Sequence, residues 1–244
     1  MNTAPEGRGG ENKVSGIDII DFHSHILPSA DHGSSSVETS LLQLELAERH
    51  SVGRIVATPH FYPDRHDIES FLNRRNAAWD ALREASDSVK RPKIALGAEV
   101  LICDGIERLE GLERLCIQGT NVLLLELPFA VFKTEYRDSV SRLIKNGFQV
   151  VLAHADRYDP ADIELLLERG AKIQLNADSL SGFSVRSHIK DWVLRGEVVA
   201  LGSDIHSVDK KAYKRFDKAL SRLDKLSMLD FVKRASDDFK IVFQ

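Results

Sequence analysis

Residues Ile17 to His25 read I-D-I-I-D-F-H-S-H, an apolar run that ends in two histidines separated by one residue. A short apolar run of this kind is typical of a buried β-strand. Alternate residues of a strand point to the same side, so His23 and His25 are expected to face one point, as a pair of metal ligands must. The same design, an apolar run followed by a polar cluster, recurs along the chain.

Seven runs of about five to eight residues, rich in Val, Ile and Leu, are predicted to be strands. They are Ile17–Phe22, Arg54–Thr58, Lys93–Val100, Asn121–Leu127, Phe148–Ala153, Lys172–Asn176 and Val198–Gly202. This richness in Val, Ile and Leu is typical of buried parallel strands.

Amphipathic stretches with helical period separate these strands. Ser35 and Glu38 have the S-x-x-E spacing of a capping box and are expected to open the first helix. The inward face of that helix is predicted to carry Val37, Leu41, Leu44 and Ala47. Further helices are predicted over Ile68–Ala85, from Asp159 to Gly170, over Ser184–Leu194, over Ala212–Leu223, and between Ser227 and Phe243.

Strands that alternate with helices predict an α/β fold with a parallel sheet. A (β/α) barrel one strand short of eight and a doubly wound open sheet both fit this alternation. The length of 244 residues is in the range of one α/β barrel. No repeat or Pro/Gly-rich linker divides the chain, so a single domain is expected over residues 17–244. Residues 1–16 are polar and are expected to be a disordered leader rather than a signal peptide.

Composition excludes several classes of protein. A net charge of −4, from 33 basic and 37 acidic residues, gives no general attraction to nucleic acid or anionic lipid. Apolar runs such as Val122–Leu125 are far shorter than the ~20 residues of a membrane-spanning helix. Cys103 and Cys116 make no disulfide framework and suit a reducing cytoplasm. Neither is followed by five residues and an arginine, the spacing of a thiolate phosphatase loop.

Metal-ligating residue types follow six of the seven predicted strands. They are His23 and His25, His60, Glu99, Glu126, His154, and Asp204 with His206, and His32 lies in the first loop. Each residue alone is readily explained as a solvated loop side chain. Because the carboxyl ends of parallel strands meet on one face, their recurrence predicts a polynuclear metal centre. Imidazole and carboxylate without thiolate suit Mn²⁺, Zn²⁺, Fe or Co.

Two or three such ions favour the hydrolysis of a phosphate ester, because they acidify a shared water and hold both oxygens of an in-line displacement. Arg157 lies three residues after His154, and its planar guanidinium suits phosphate oxygens. A structural salt bridge is the alternative for Arg157. Phosphate-binding glycine motifs of nucleotide enzymes are absent from the sequence.

With these motifs, the chain resembles the PHP (polymerase and histidinol phosphatase) superfamily, and within it the CpsB/YwqE-type bacterial protein-tyrosine phosphatases. The resemblance runs from Ile17 to the C-terminus. It is carried by I-D-F-H-S-H-I-L-P at Ile20–Pro28, A-T-P-H at Ala57–His60, G-A-E at Gly97–Glu99, L-E-L-P at Leu125–Pro128, A-H-x-x-R-Y at Ala153–Tyr158 and S-D-x-H at Ser203–His206.

The resemblance implies a distorted, TIM-barrel-like (β/α)7 barrel with two or three divalent ions, Mn²⁺ being the usual metal. It implies attack of a metal hydroxide on phosphotyrosine without a covalent intermediate, with Arg157 on the phosphate. Where a proton donor is needed, His206, His60 and His32 are the candidates, and His206 is the residue predicted to act in catalysis. The implied ligands are His23, His25, His60, Glu99, Glu126, His154, Asp204 and His206. The implied substrate is the tyrosine-rich tail of a membrane-associated bacterial tyrosine autokinase, with effects on capsule and exopolysaccharide synthesis. Such family members often form ring-like homo-oligomers.

One departure from the family concerns the first loop, where family members have Asp-Asp-Gly and the second Asp is a ligand. This chain has Asp31-His32-Gly33. His32 is therefore the candidate ligand at that position, and Asp31, one residue earlier, is the alternative.

Three other functions stay open at the level of sequence. A histidinol-phosphatase-like enzyme for small molecules uses the same centre. A TatD-like metal-dependent nuclease also begins with His-x-His, although His60 and the Asp204–His206 pair favour the PHP pattern. A degenerate member without catalysis, marked by His32, is the third.

Overall fold

The computed structural model describes residues 19–86, 91–129 and 132–244. The strands are β1 (Ile19–Ser24), β2 (Val52–Ala57), β3 (His60–Phe61), β4 (Lys93–Leu96), β5 (Glu99–Leu101), β6 (Val122–Glu126), β7 (Gln149–Leu152), β8 (Lys172–Asn176) and β9 (Val198–Gly202). The helices are α1 (Val37–Arg49), α2 (Ile68–Ser86), α3 (Glu135–Lys145), α4 (Pro160–Leu167), α5 (Ala177–Leu180), α6 (Ser187–Leu194), α7 (Ala212–Lys225) and α8 (Asp230–Phe239).

All described strand pairs are parallel, in the orders β1-β2-β4 and β3-β5-β6-β7-β8-β9. Strands β2 and β3 are successive parts of one staggered segment, and so are β4 and β5. Backbone hydrogen bonds link the two segments across their breaks, from Gly97 N to Ala57 O at 2.8 Å and from Glu99 N to Pro59 O at 3.1 Å. The nine strands therefore fill seven positions.

The seventh position lies beside the first. The amide of Asp204 donates to His23 O at 2.8 Å, and the amide of His25 donates to Ile205 O at 3.0 Å. These bonds join the end of β9 to the end of β1 and close the sheet. The prediction of a TIM-barrel-like (β/α)7 barrel is confirmed, and the open doubly wound sheet is excluded.

A buried apolar cluster fills the barrel and includes Ile20 and Phe22 of β1. The C-terminal segment closes the end of the barrel where the strands begin. Phe239 packs on Phe22 with ring centroids 5.6 Å apart, and Ile241 belongs to the same cluster. Gln244 exchanges two backbone hydrogen bonds with Ile94 at the start of β4. The opposite end, where the strands finish, is left for the polar side chains.

Several element boundaries differ from the sequence prediction. The predicted strand Lys93–Val100 is broken at Gly97 and Ala98, so its two halves pair in different sheets. Helix α1 is capped by Ser36, whose hydroxyl accepts from Thr39 N, so the predicted cap at Ser35 is wrong by one residue. Only Leu44 and Ala47 of its four predicted inward residues are fully buried.

The prediction omits α3, although the buried Tyr136, Val140 and Leu143 recur on it at helical spacing. The predicted leader, residues 1–16, lies outside the described residues, as do the first two residues of the predicted first strand. Within the described part of the chain, no helix combines the length and the apolar character needed to cross a bilayer.

Candidate metal centre

Four imidazoles surround one buried carboxylate at the carboxyl end of the barrel. Glu99, the first residue of β5, places Oε2 3.2 Å from His23 Nε2, 3.2 Å from His25 Nε2 and 3.0 Å from His60 Nδ1. Its other oxygen, Oε1, lies 2.8 Å from His154 Nε2. Glu99 thus contacts histidines from the ends of β1 and β7 and from β3, and both of its oxygens face imidazole nitrogens.

Asp204 is a second carboxylate of the cluster and faces the same histidine pair. Its Oδ1 lies 3.4 Å from His25 Nε2 and 3.6 Å from His23 Nε2, while those two nitrogens are 3.1 Å apart. Its Oδ2 accepts from Arg157 at 2.6 Å and from Asn176 Nδ2 at 3.2 Å. One oxygen of Asp204 thus faces the histidine pair and the other is held from outside.

Glu126 and His206 complete the cluster. Glu126 Oε2 is 3.6 Å from His60 Nδ1, and Glu126 Oε1 is 3.8 Å from His154 Nε2. His206 Nε2 lies 3.5 Å from His60 Nε2. Three groups of donor atoms are each compact enough to hold one ion. They are His25–His60–His206, His23–His25–Asp204 and His60–Glu99–Glu126.

The orphaned atoms of the cluster fit a cation. Glu99 Oε2, Asp204 Oδ1 and His60 Nδ1 are buried without a hydrogen-bond partner. Buried polar groups are almost always paired, and leaving them unpaired costs free energy. All three atoms face other donors of the cluster, and the donor set of imidazole and carboxylate suits a divalent first-row metal. These residues therefore fit metal ions, and three overlapping groups provide room for more than one.

The charges of the cluster are strongly coupled. Burial opposes protonation of His25, but the nearby carboxylates of Asp204, Asp31 and Glu99 raise the pKa of its imidazole well above the usual value. Burial also opposes protonation of His60, yet Glu126 and Glu99 raise its pKa to about 9. Without a cation, imidazolium protons balance the carboxylates, so a metal ion competes with these protons.

His206 differs from its neighbours because burial and the charge of His25 lower its pKa to about 4. Its side chain is half-buried, and its Nδ1 lies 3.0 Å from the carbonyl of Asp204. A neutral imidazole at neutral pH is the form that binds a metal or accepts a proton.

Two of the candidate ligands have a left-handed backbone, which non-glycine residues rarely adopt. The φ angle is 33° at His154 and 53° at Asp204. Such conformations cost on the order of 1–3 kcal/mol and persist where the surroundings enforce them, often at functional sites. Here the amide of His154 donates to Gln174 Oε1 at 2.7 Å, and that of Asp204 donates to His23 O.

Gln174 is a supporting residue that the sequence analysis does not identify. Its Oε1 lies 3.1 Å from His23 Nδ1 as well as accepting from the His154 amide, so one amide oxygen orients two candidate ligands. Its Nε2 donates to Asn176 Oδ1 at 2.9 Å. The available signal is a glutamine between Ile173 and Leu175 at the buried centre of strand β8.

Asp31 is a second supporting residue. Its Oδ2 is 2.7 Å from His25 Nδ1 and accepts from the His60 amide at 2.9 Å, while Oδ1 accepts from Gly33 N. These contacts lower the pKa of Asp31 far below the usual value even though burial opposes ionisation. A carboxylate on Nδ1 leaves Nε2 of His25 free to face the cluster.

Asp21 ties the first strand to the last. It accepts from Ser203 N at 2.7 Å, Ser203 Oγ at 2.5 Å and Tyr213 Oη at 2.9 Å. Burial raises the pKa of Asp21 to about 6, although these hydrogen bonds favour its charged form. The residue fixes the loop that carries Asp204.

Two glycines permit close approaches at the centre. A Cβ on Gly33 would lie 2.4 Å from His25 Cβ, and one on Gly202 would lie 2.6 Å from His23 Cβ. Both distances are shorter than any ordinary contact. The first loop and β9 pack this closely against the histidine pair only because these residues lack a side chain.

Comparison with known proteins identifies the family of this chain. The family described as capsular polysaccharide synthesis, CpsB/CapC, matches residues 19–235. The chain belongs to the CpsB/CapC family. The resemblance seen in the sequence motifs is thereby confirmed.

Two curated CpsB/CapC relatives are similar over most of their length. The tyrosine-protein phosphatase CpsB of Streptococcus pneumoniae is 27% identical over 213 residues, which cover 79% of this chain and 85% of the relative. The CapC protein of Staphylococcus aureus is 28% identical over 209 residues, which cover 80% of each chain.

Solved structures show the same fold. A structure from the pair YwqE of Bacillus subtilis and CpsB of Streptococcus pneumoniae, described as metal-dependent tyrosine phosphatases, has a TM-score of 0.72 at 22% identity. It covers 93% of this chain and 97% of that chain. A histidinol phosphate phosphatase of Lactococcus lactis, solved with zinc, L-histidinol and phosphate, has a TM-score of 0.53 at 13% identity and covers 84% and 94%.

In this CpsB/CapC chain, eight of the predicted ligands converge at the barrel mouth, and His32 lies at the exposed edge of this cluster. His32 is exposed and belongs to none of the compact donor groups found among the described residues. Its ring stacks on those of His60 and His206, with centroids 4.6 and 4.8 Å away. Ligation by His32 stays a prediction, whereas Asp31 contacts two ligands from behind. Arg157 forms an ion pair with Asp204, so its role on phosphate also stays a prediction.

Proposed function

We propose that this protein is a metal-dependent protein-tyrosine phosphatase that hydrolyses phosphotyrosine by attack of an activated water, without a covalent intermediate. The observation that carries the proposal is the convergence of eight imidazole and carboxylate side chains from successive strand ends. Several of their buried atoms have no partner within the protein. Membership of the CpsB/CapC family, with a curated phosphatase among the relatives, supports the same reaction.

Two or three divalent ions, with Mn²⁺ the first choice and Zn²⁺, Fe or Co as alternatives, would supply an acidified water and neutralise phosphate charge. The proposed ligands are His23, His25, His32, His60, Glu99, Glu126, His154, Asp204 and His206. Glu99 contacts four of the imidazoles and is proposed to bridge. Gln174 and Asp31 hold the rings of His23 and His25 in the orientation that ligation needs.

Arg157 is proposed to bind the phosphate. Its side chain is 42% exposed and pairs with Asp204 on the side away from the histidine pair. The guanidinium of Arg157 is therefore held by Asp204 at the mouth of the site, where it remains accessible to a phosphate group. Its planar pair of N–H groups matches two oxygens of a phosphate.

His206 is proposed to act in catalysis as well as in ligation. It is the most exposed of the eight converging residues, and its lowered pKa keeps it neutral at neutral pH. A tyrosine leaving group has a pKa of about 10 and departs with little protonation, whereas an alkyl alcohol needs a proton donor. Because His206 is neutral, it does not supply an imidazolium proton to the leaving group, and this favours aryl over alkyl esters.

The physiological substrate is proposed to be the phosphotyrosine tail of a membrane-associated bacterial tyrosine kinase, so that the enzyme regulates capsular or exopolysaccharide synthesis. The description of the family as one of capsular polysaccharide synthesis supports this setting. We further propose a cytoplasmic location and a homo-oligomeric state, without direct contact with nucleic acid or membrane insertion.

The test compares phosphate release from a phosphotyrosine peptide and from histidinol phosphate. The protein is first stripped with a chelator and then assayed with Mn²⁺, with Zn²⁺ or without metal. Metal-dependent turnover that favours the peptide is expected. Preference for histidinol phosphate would instead indicate that the protein is a small-molecule phosphatase with the same metal centre. If the metal-loaded protein releases phosphate from neither substrate, a binding protein without catalysis is indicated. Cleavage of DNA in a separate assay would indicate a nuclease.

A further inference from the structure

Phe129 is a large apolar side chain exposed at the rim of the metal cluster. It follows the Glu126 strand end by three residues and is 68% exposed. Its ring stacks on Tyr158, with centroids 5.7 Å apart, and lies nearly parallel to His154 at 6.2 Å and 12°. Tyr158 is itself anchored, because its hydroxyl donates to Leu127 O at 2.8 Å. Phe129 thus presents a ring at the His154 side of the site.

Tyr62 presents a second ring at the His60 side. It is partly exposed, and its ring lies 5.2 Å from that of His60 at an interplanar angle of 16°. The guanidinium of Arg65 sits 5.0 Å above the Tyr62 ring centroid. Tyr62 therefore lies beside the His60 ring as Phe129 lies beside that of His154.

The two rings flank one carboxylate. The carboxylate of Glu126 lies between His60 and His154, 3.6 Å from His60 Nδ1 and 3.8 Å from His154 Nε2. The ring of Tyr62 lies beside that of His60, and the ring of Phe129 lies beside that of His154. A leaving group that projects outward from a phosphate held at the cluster passes this rim. The geometry points to an aromatic clamp, formed by Tyr62 and Phe129, that holds the ring of an aryl phosphate and makes the site select aryl over alkyl monoesters.

The physical basis is the contact between aromatic faces. Stacked or edge-on aromatic pairs gain free energy beyond the area that they bury, and an alkyl chain does not provide this gain. An exposed ring such as Phe129 also becomes desolvated when a second ring covers it, which adds a hydrophobic contribution. Both contributions act on the leaving group and not on the phosphate, so they discriminate between esters that share the same reacting atoms.

This inference rests on the proposed phosphatase function, and the experiment separates the two. Phenyl phosphate is compared with a fluorinated alkyl phosphate whose alcohol has phenol-like acidity, so that leaving-group chemistry is matched. The metal-loaded variants are Phe129→Leu and Tyr62→Leu, with Phe129→Tyr and Tyr62→Phe to restore a ring. Phe183→Leu is the control, because Phe183 is fully exposed and lines a different cavity, together with Arg49 and Lys218. Binding of phenylphosphonate and methylphosphonate is measured in parallel, without turnover.

Each leucine variant is expected to lower kcat/KM for phenyl phosphate by about three- to tenfold, and to weaken phenylphosphonate binding by a similar factor. The fluorinated alkyl ester and methylphosphonate should be unaffected, and the ring-retaining variants and Phe183→Leu should behave as wild type. Equal losses on aryl and alkyl compounds, or no loss on either, would overturn the clamp. If the wild-type protein releases phosphate from neither ester, the proposed function fails, and the phosphonate comparison alone decides whether the clamp exists.

Discussion

Replacing Asp31 with asparagine should weaken metal binding although Asp31 is not in any of the compact donor groups. Its carboxylate accepts three hydrogen bonds, from His25 Nδ1 and the His60 amide on one oxygen and from the Gly33 amide on the other. Asparagine has the same shape but only one oxygen. Whichever way its amide turns, an NH₂ group then faces at least one N–H donor, and the negative charge behind His25 is lost.

Removing a carboxylate that orients a ligating histidine typically costs 10- to 100-fold in metal affinity. The expected loss is therefore about 1.4–2.8 kcal/mol in the free energy of metal binding. The assay is competition for Mn²⁺ or Zn²⁺ with a fluorescent chelator, together with the thermal unfolding midpoint of the metal-free protein. Asp67→Asn is the matched control, because the carboxylate of Asp67 caps α2 by accepting from Ser70 N and Ser70 Oγ rather than orienting a candidate ligand. If Asp31→Asn binds metal with wild-type affinity, Asp31 does not support His25 as a metal ligand.

Three further outcomes are expected. His154→Ala or Asp204→Ala should abolish phosphate release while circular dichroism stays native, because each removes a converging donor; near-normal kcat in either would count against the proposed ligand set. Gln174→Leu should lower metal affinity by about tenfold or more, since its amide oxygen orients both His23 and the His154 amide; unchanged affinity would deny Gln174 a positioning role. Metal binding should release protons at neutral pH, because the pKa of His60 is raised to about 9 and that of His25 well above its usual value, so affinity should rise with pH up to about 9; calorimetric heats that do not depend on the ionisation enthalpy of the buffer would contradict this.

The candidate ligands could be predicted from the sequence because each lies next to the strand that positions it. An apolar run identifies the strand, and the following residues then necessarily lie at its carboxyl end. His60, Glu99 and His154 are therefore found without knowledge of their partners. The closure of the barrel was not predictable from strand count alone, because it depends on hydrogen bonds between residues near opposite ends of the chain, such as Asp204 and His23.

The supporting residues escaped prediction for the same physical reason. Gln174 acts on His23 across 151 residues, and no local pattern marks that contact apart from a polar side chain in a buried strand. Asp31 and His32 are adjacent, and only the path of the loop decides that Asp31 faces His25 while His32 is exposed. The break at Gly97 and the cap at Ser36 likewise depend on packing that neighbouring residues of similar type do not reveal.

The central claim is that a multi-ion centre at the barrel mouth carries phosphotyrosine hydrolysis. The most direct measurement titrates Mn²⁺ into chelator-stripped protein and follows, in the same samples, the ions bound per chain and the phosphate released from a phosphotyrosine peptide. Stripped protein is expected to be inactive, and turnover is expected to appear only as the second or third ion binds. Full turnover by stripped protein, or with a single ion bound per chain, would contradict the claim.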